Sequence, residues 1–535
     1  MPPRGRCKEC VRPTAFPAPA RVVRWAVLVT VALASFGTIG PRAALAGDGR
    51  LVELVDRYKA TLGRHDDVAY AAEREALDAI ADLDTPEARR TLRSFAVSER
   101  EGPGGDARRM ALILSAIARR GDGPAFDFVV DAVETWRGAS LASALPRILG
   151  AATAPSARAI VRDVILRRGT VAIRAAAARA LGAIGDRAAV LPLLEVLRDD
   201  DLLLRAEAIS ALGELRDESA VPALAVFLRG ADPRLREACA RALGVLGSAQ
   251  ALPSLVRALG DTVPRVVESA AGALALLAPQ GVAVSIPAII DRWFEVHEKD
   301  DRVEDAFERA LVRMTGADVG ADPELWKSWW AANKDRPPAE VRRKEAPTTV
   351  AGARYYGFGV RSDHVVFVLD VSRSMGWNDR LESARKELIQ AIQHLRPRTR
   401  FSIVSFSDSA WPWSDELIAA SAEAVRKAVR FVERLEPLSG TNSFEALRTA
   451  FKNDEVDSIY FLSDGHPSSG SVVDPDAILQ QVREMNRWRR VRIHAIALLR
   501  GDPPPEFAAL ENPGEAERFM RRLAEENDGG FIEVR

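Results

Sequence analysis

Three short pieces of the chain carry oxygen-bearing side chains where a fold can gather them. The first is Asp370-Val371-Ser372-Arg373-Ser374, which follows the uncharged run Val365-Val366-Phe367-Val368-Leu369. That run is short, β-branched and apolar, and it reads as a strand buried on both faces. The Asp and the two Ser therefore stand where a buried strand becomes a loop. The second piece, Ser458-Ile459-Tyr460-Phe461-Leu462-Ser463-Asp464-Gly465, is another strand ending in an acid and a glycine. Between them, Ser439-Gly440-Thr441-Asn442 is a turn leading into a helix, with one more hydroxyl. Ligands of an open α/β sheet bind outside the carboxyl ends of its strands. There Asp370, Ser372, Ser374, Thr441 and Asp464 supply two carboxylates and three hydroxyls. These are hard oxygen donors, suited to Mg²⁺, Mn²⁺ or Ca²⁺ rather than to a thiolate-seeking metal.

Catalysis fits the same residues less well. A phosphatase of the Asp-x-Asp type needs a second acid two positions after the first, and that position is Ser372. The nucleotide loop G-x-x-x-x-G-K-[ST] and the nucleophile motif G-x-S-x-G are both missing from the sequence. His65, His297, His364, His394 and His494 show no metal-ligand spacing. The expectation is a binding site and not an enzyme, with a hydrolase as the disfavoured alternative.

The elements that must position these residues alternate in kind. Strands are predicted at Val365–Leu369, Phe401–Phe406, Ser458–Leu462, Ile493–Leu499 and Gly530–Val534. Helices are predicted at Leu381–Leu395, Ala422–Leu435, Ser443–Phe451, Asp476–Trp488 and Glu515–Glu526. Such alternation predicts a doubly wound α/β sheet, Rossmann-like, with helices on both faces. The order D-x-S-x-S, then Thr441, then Asp464, resembles the metal-ion-dependent adhesion site (MIDAS) of von Willebrand factor type A (VWA) domains. The resemblance spans residues 355–535 and includes Phe519 to Gly530, similar to that family's last helix and glycine turn. It implies a Mg²⁺ site that keeps one coordination position for an acidic residue of a protein partner. Arg373, Trp377 and His466 lie close to these motifs and are expected on the partner-binding rim, the alternative for Trp377 and His466 being a solvated loop. Arg373 departs from the family pattern, which often has Gly between the two serines.

The N-terminal half has a different period. IRAAAARALGAIGD from Ile173, LRAEAISALGELRD from Leu204 and LREACARALGVLGS from Leu235 recur at 31-residue steps. Pro192, Pro222, Pro253 and Pro287 are read as opening the helix that follows each copy. The first helix is predicted to bury Ile173, Ala177, Ala180, Leu181 and Ile184, and the second Val190, Leu193, Leu194 and Leu197. One helix pair cannot bury both of its faces, so neighbours must stack into an all-α solenoid. The pattern resembles HEAT-like repeats of the short variety seen in bilin-lyase-type proteins, although nothing in the repeats supports lyase chemistry. Degenerate copies at Ala116–Asp122 and Ala76–Ile80 extend the solenoid back to residue 50. Such a surface serves as a protein-binding groove or as a spacer. Arg174, Arg205 and Arg236 fall at one position per repeat and are expected to pair with junction acids such as Asp200, Asp201 and Asp232. Trp293, Trp326, Trp329 and Trp330 read as the packing of closing helices.

At 535 residues the chain is too long for one ordinary domain. The expected limits are a signal peptide at 1–46, the solenoid at 50–295, capping helices at 296–333, a linker at 334–354 and the VWA domain at 355–535. Residues 1–46 carry a net charge of +6 and leave the remainder at −7. The head is basic, the apolar stretch Trp25–Ile39 is short of the ~20 residues of a membrane span, and Ala44-Leu45-Ala46 is a small-residue cleavage pattern. The protein is therefore expected to be exported to the periplasm, cell envelope or exterior, the alternative being an N-terminal membrane anchor. The balanced charge offers no basic excess for nucleic acid. Cys7 and Cys10 lie in the signal, and Cys239 reads as a small buried apolar residue.

Overall fold

A computed structural model describes residues 45–64, 67–101, 106–136, 140–335, 353–487, 489–501 and 513–535. Almost all of the expected signal, most of the expected linker, and Trp488 lie outside them. The chain divides into two compact units, Met1–Leu83 and Asp84–Arg535. In the first, helices Leu45–Lys59 and Asp67–Asp82 bury Leu54, Tyr58, Leu77 and Ile80. The expected cleavage point before Gly47 falls within the first of these helices. Among the described residues no helix is long and apolar enough to cross a membrane.

The second unit opens with helices and becomes regular at residue 171. Long helices Val171–Ile184, Leu202–Leu215, Pro233–Leu246 and Pro264–Leu276 stack on one another. Short helices Val190–Val196, Val221–Phe227 and Leu252–Ala258 return between them. Ile173, Ala177, Ala180 and Leu181 are buried as expected, and Ile184 and Leu194 are half-buried. The recurring Leu-Gly has a steric cause. A Cβ on Gly182, Gly213 or Gly244 would lie 2.8 Å from the Cα of Ala211, Ala242 or Ala273 in the next long helix, so only glycine permits the spacing. Pro222 and Pro253 sit in the first turn of their helices, but Pro287 lies inside Ala278–Val296, beyond a break at Gly281.

Two of the three junction arginines pair with junction acids, though not with the three named above. Arg174 bonds Asp199 at 2.8 Å and Arg236 bonds Asp261 at 2.7 Å. Asp201 and Asp232 instead cap the long helices by accepting backbone N–H groups. In the middle repeat the position matching Asp199 and Asp261 is Gly230, and Arg205 lies over the Phe227 ring at 5.2 Å. Helix Asp301–Thr315 stacks on Pro264–Leu276 as a further long helix, and Pro323–Asn333 packs on Ala278–Val296. Trp293 and Trp326 are fully buried, whereas Trp329 and Trp330 are half-buried.

From residue 353 the chain forms a hairpin, β1 Arg354–Tyr355 and β2 Phe358–Gly359, and then a sheet. Its strands are β3 His364–Asp370, β4 Arg400–Phe406, β5 Ala410–Pro412, β6 Ile418–Ala419, β7 Ser458–Ser463, β8 Arg492–Leu498 and β9 Phe531–Val534. The order is β5-β4-β3-β7-β8-β9, with β6 also on β4. The pairs β4–β3, β3–β7, β7–β8 and β8–β9 are parallel, and β5 and β6 run antiparallel to β4. Alternation along β3 splits the core as a two-sided strand requires. Val365, Phe367 and Leu369 pack with helices Arg380–Gln393 and Ala422–Glu433. Val366 and Val368 pack with helices Ser443–Ala450, Pro475–Asn486 and Pro513–Glu525. The fold class is therefore an all-α repeat region followed by a doubly wound α/β domain.

The two regions of this unit meet through charges. The long helices present Arg179, Glu207, Arg265, Glu268, Arg302 and Asp305 to the end of the sheet where its parallel strands begin. Arg179 bonds Glu484 at 2.9 Å, Arg487 bonds Glu207 at 2.8 Å, and Arg302 bonds Asp457 at 3.3 Å. Arg492, the first residue of β8, bonds both Glu268 and Asp305 at 2.9 Å. Arg361 reaches Glu308 and Asp305.

Candidate functional site

The opposite end of the sheet gathers the five oxygen-bearing side chains. β3 and β7 are neighbours in parallel register, so Asp370 at the end of one and Asp464 just past the other emerge side by side. With β4 on its other flank, β3 is where the strand order reverses, which is the usual crevice of such sheets. Asp370 is fully buried, and both its oxygens are engaged. Oδ1 accepts the Ser372 N–H at 2.7 Å and Oδ2 accepts the Ser463 hydroxyl. Ser372 Oγ lies 3.1 Å from Ser374 Oγ, and the Ser374 hydroxyl donates to Asp464 Oδ1 at 2.9 Å.

Thr441 arrives from the other side of β3. Asn442 N–H donates to Ser407 O at 2.6 Å, and Thr441 O accepts the Ser468 N–H at 2.9 Å, so the turn is held at both ends. The Asn442 side chain caps helix Ser443–Ala450. Gly465 lies between Thr441 and Ser374. A Cβ there would stand 3.9 Å from Thr441 Oγ1 and 4.0 Å from Ser374 Oγ. Two buried carboxylates and three hydroxyls form a set of hard oxygen donors that fits a divalent cation. Among the described residues no three His, Cys, Asp or Glu side chains gather at one point. A cation here would thus draw on hydroxyls beside the two acids.

Electrostatics agree with that need. Burial, with the charge of Asp464, pushes Asp370 up to about 7. Burial also raises Asp464, against the pull of Arg380. Arg380 escaped the sequence reading. Its guanidinium is buried and donates to Asp464 Oδ2 at 2.8 Å and to the carbonyls of Arg500 and Gly501 at 2.9 and 3.1 Å. Asn378 and Asp379 precede it with φ of 52° and 56°, a left-handed pair that turns the chain sharply into the Arg380–Gln393 helix. An arginine at the start of an amphipathic helix carries no sequence signal of burial. Ser463 was likewise inside the quoted motif without being given a role.

The expected rim residues differ in exposure. Arg373 is exposed. Trp377 is half-buried, and its N–H donates to Ser374 O at 3.0 Å. His466 is half-buried with Nε2 3.3 Å from a Glu515 oxygen, which ties it to the last helix.

Comparison with known proteins fits both regions. The family model described as HEAT repeats matches residues 158–230, 190–276 and 224–312, and that of the von Willebrand factor type A domain matches 363–513. The chain is 25% identical to human von Willebrand factor A domain-containing protein 3B over 204 residues, 38% of this chain and 14% of that one. It is 35% identical to human inter-alpha-trypsin inhibitor heavy chain H4 over 140 residues, 24% of this chain and 15% of that one. The chain thus spans about one seventh of the length of these relatives. A solved von Willebrand factor type A structure from Catenulispora acidiphila shares 18% identity over 32% of this chain and 38% of that one, with a TM-score of 0.27. With a parallel sheet carrying Asp370 and Asp464 at one edge and stacked helix pairs before it, the chain is a protein of HEAT repeats followed by a von Willebrand factor type A domain.

Proposed function

We propose that this protein is an exported adaptor that captures an acidic side chain of a protein partner through a divalent cation held by Asp370, Ser372, Ser374, Thr441 and Asp464. The observation that carries the reading is the hydrogen-bonded chain Asp370–Ser372–Ser374–Asp464, with Thr441 across Gly465 from Ser374, at the end of the sheet away from the repeats. The cation is Mg²⁺, or Mn²⁺ or Ca²⁺ in its place, because all the donors are hard oxygens. Its remaining coordination position takes the partner's carboxylate. Arg373, Trp377 and His466 border that position. Capture rather than catalysis fits Ser372, which stands where hydrolytic chemistry of the Asp-x-Asp type needs an acid.

In this reading residues 1–46 export the protein and 50–295 form the solenoid. Residues 296–333 close it, 334–354 link it, and 355–535 bind the partner. The solenoid holds the binding domain by the end of the sheet that the partner does not use, and so acts as a spacer; its other surfaces are available to a second protein. This reading includes no nucleic-acid partner and no stable membrane insertion once the signal is removed. Calorimetry of Mg²⁺ and Mn²⁺ binding to the natural chain and to Asp370→Ala tests the proposal. One-site binding that disappears in D370A, with D370A still folded, is the expected result. No binding by the natural chain defeats it. If binding occurs but D370A unfolds, the metal serves a structural scaffold instead.

A further inference from the structure

The donor set contains two carboxylates, and buried Arg380 bonds one of them directly. Its guanidinium occupies Asp464 Oδ2 at 2.8 Å, which leaves Oδ1 to face Ser374 and the hydroxyl set. The same guanidinium is anchored by the carbonyls of Arg500 and Gly501, just past β8, so it cannot swing away without breaking three hydrogen bonds. The pair is shielded from water on both sides, with side chains 2% and 0% exposed. A charge in that position acts on its neighbours with little screening.

We infer that Arg380 is a resident counter-charge that sets the residual charge of the loaded site, and so its preference for an anionic partner group. The inference rests on the metal-capture reading above. With both carboxylates ionised, Asp370, Asp464 and Arg380 sum to one negative charge, and a divalent cation turns this into one positive charge. A partner carboxylate then neutralises the site. Without Arg380 the loaded site is already neutral and has no surplus charge to attract an anion. The arginine therefore weakens the hold on the cation while favouring the partner. It also keeps Asp464 from closing on the metal with both oxygens, because Oδ2 is committed elsewhere.

Three substitutions separate charge from packing, each made in the full chain and titrated with Mg²⁺ alone by calorimetry. Arg380→Gln keeps a side-chain donor and removes the charge, Arg380→Met removes both, and Arg380→Lys keeps the charge. R380Q and R380M are expected to bind Mg²⁺ about tenfold or more tightly than the natural chain, as removal of a unit charge from a buried site implies. R380K is expected to stay within about threefold of the natural chain. Melting temperature reports any purely structural role, which would lower all three without this ordering. If R380M does not fold, R380Q against R380K still decides. R380Q binding Mg²⁺ no more tightly than the natural chain overturns the inference. A natural chain that binds no Mg²⁺ removes instead the reading on which it rests.

Discussion

Thr441 and Ser463 both bring hydroxyls to this end of the sheet, yet their removal is expected to have different consequences. The Ser463 hydroxyl donates to the fully buried Asp370 Oδ2. Ser463→Ala leaves that oxygen short of a partner and is expected to lower stability by about 1–3 kcal/mol, read from urea midpoints. Thr441 Oγ1 instead faces the space beside Gly465. On the metal-capture proposal, Thr441→Ala is expected to weaken Mg²⁺ binding about tenfold, as for the loss of one proposed ligand, while the urea midpoint stays near that of the natural chain. The positions of the five candidate donors were legible in the sequence because they lie where strands end and a helix begins, places that local pattern marks. Arg380 and the role of Ser463 were not. Their importance comes from a guanidinium and a hydroxyl meeting carboxylates 84 and 93 residues away, which no local pattern encodes.

At the scale of elements, two helix-interior glycines make opposite predictions. Gly213 lies where a Cβ would stand 2.8 Å from the Cα of Ala242. Gly213→Ala must push two repeats apart and is expected to cost about 1–3 kcal/mol. Gly272, in helix Pro264–Leu276, is exposed and has nothing within 4 Å of such a Cβ. Gly272→Ala is expected to stabilise by about 0.5–1 kcal/mol through helix propensity and reduced freedom of the unfolded chain. Guanidinium denaturation of both variants checks the signs. The repeat was visible as a 31-residue period, and the parallel strands as short apolar runs. The β1–β2 hairpin and the edge strands β5 and β6 were not visible, because two or three residues are too few to show a period. The break at Gly281 was missed because Pro287 continued the numerical series of prolines.

For the whole molecule the telling feature is the charged contact between the repeats and the beginning of the sheet. Burial alone would raise the Glu268 carboxyl, but Arg302, Arg492 and Arg309 hold it well below the usual range. Arg492→Met takes one arginine from Glu268 and Asp305, which keep Arg302, Arg309 and Arg361, and is expected to cost about 1.5–3 kcal/mol; the readout is the urea midpoint. His494 supplies a pH test. It stacks on Tyr460 at 4.7 Å, and its Nδ1 accepts the Gly530 N–H at 3.1 Å. Burial, aided by Arg492, pushes it down to about 3 from its ordinary 6.5. A depressed folded value means stability that is present above 6.5 and drains away as the pH falls toward 3. Asp370 and Asp457 are raised by burial and act in the opposite sense, so the comparison is with His494→Phe at each pH. The natural chain is expected to lose stability relative to H494F between pH 7 and pH 5, and a constant difference across that range counts against the assignment.

The amino-acid sequence by itself determined the kinds of element, their order and the donor chemistry. Periods of 31 and 3.6 and the ends of short apolar runs are local properties, and burying each apolar face leaves few alternatives. Tertiary structure alone decided which charges meet. It placed Asp199 and Asp261, not Asp201 and Asp232, against the junction arginines, because the capping geometry had already engaged the latter pair. It set the repeats against one end of the sheet and left Asp370 and Asp464 at the other. It also turned Arg380 inward, onto a carboxylate that the sequence had marked only as a metal ligand. A charged side chain on a helix has the same pattern whether it faces water or a distant acid, and only the folded chain distinguishes the two.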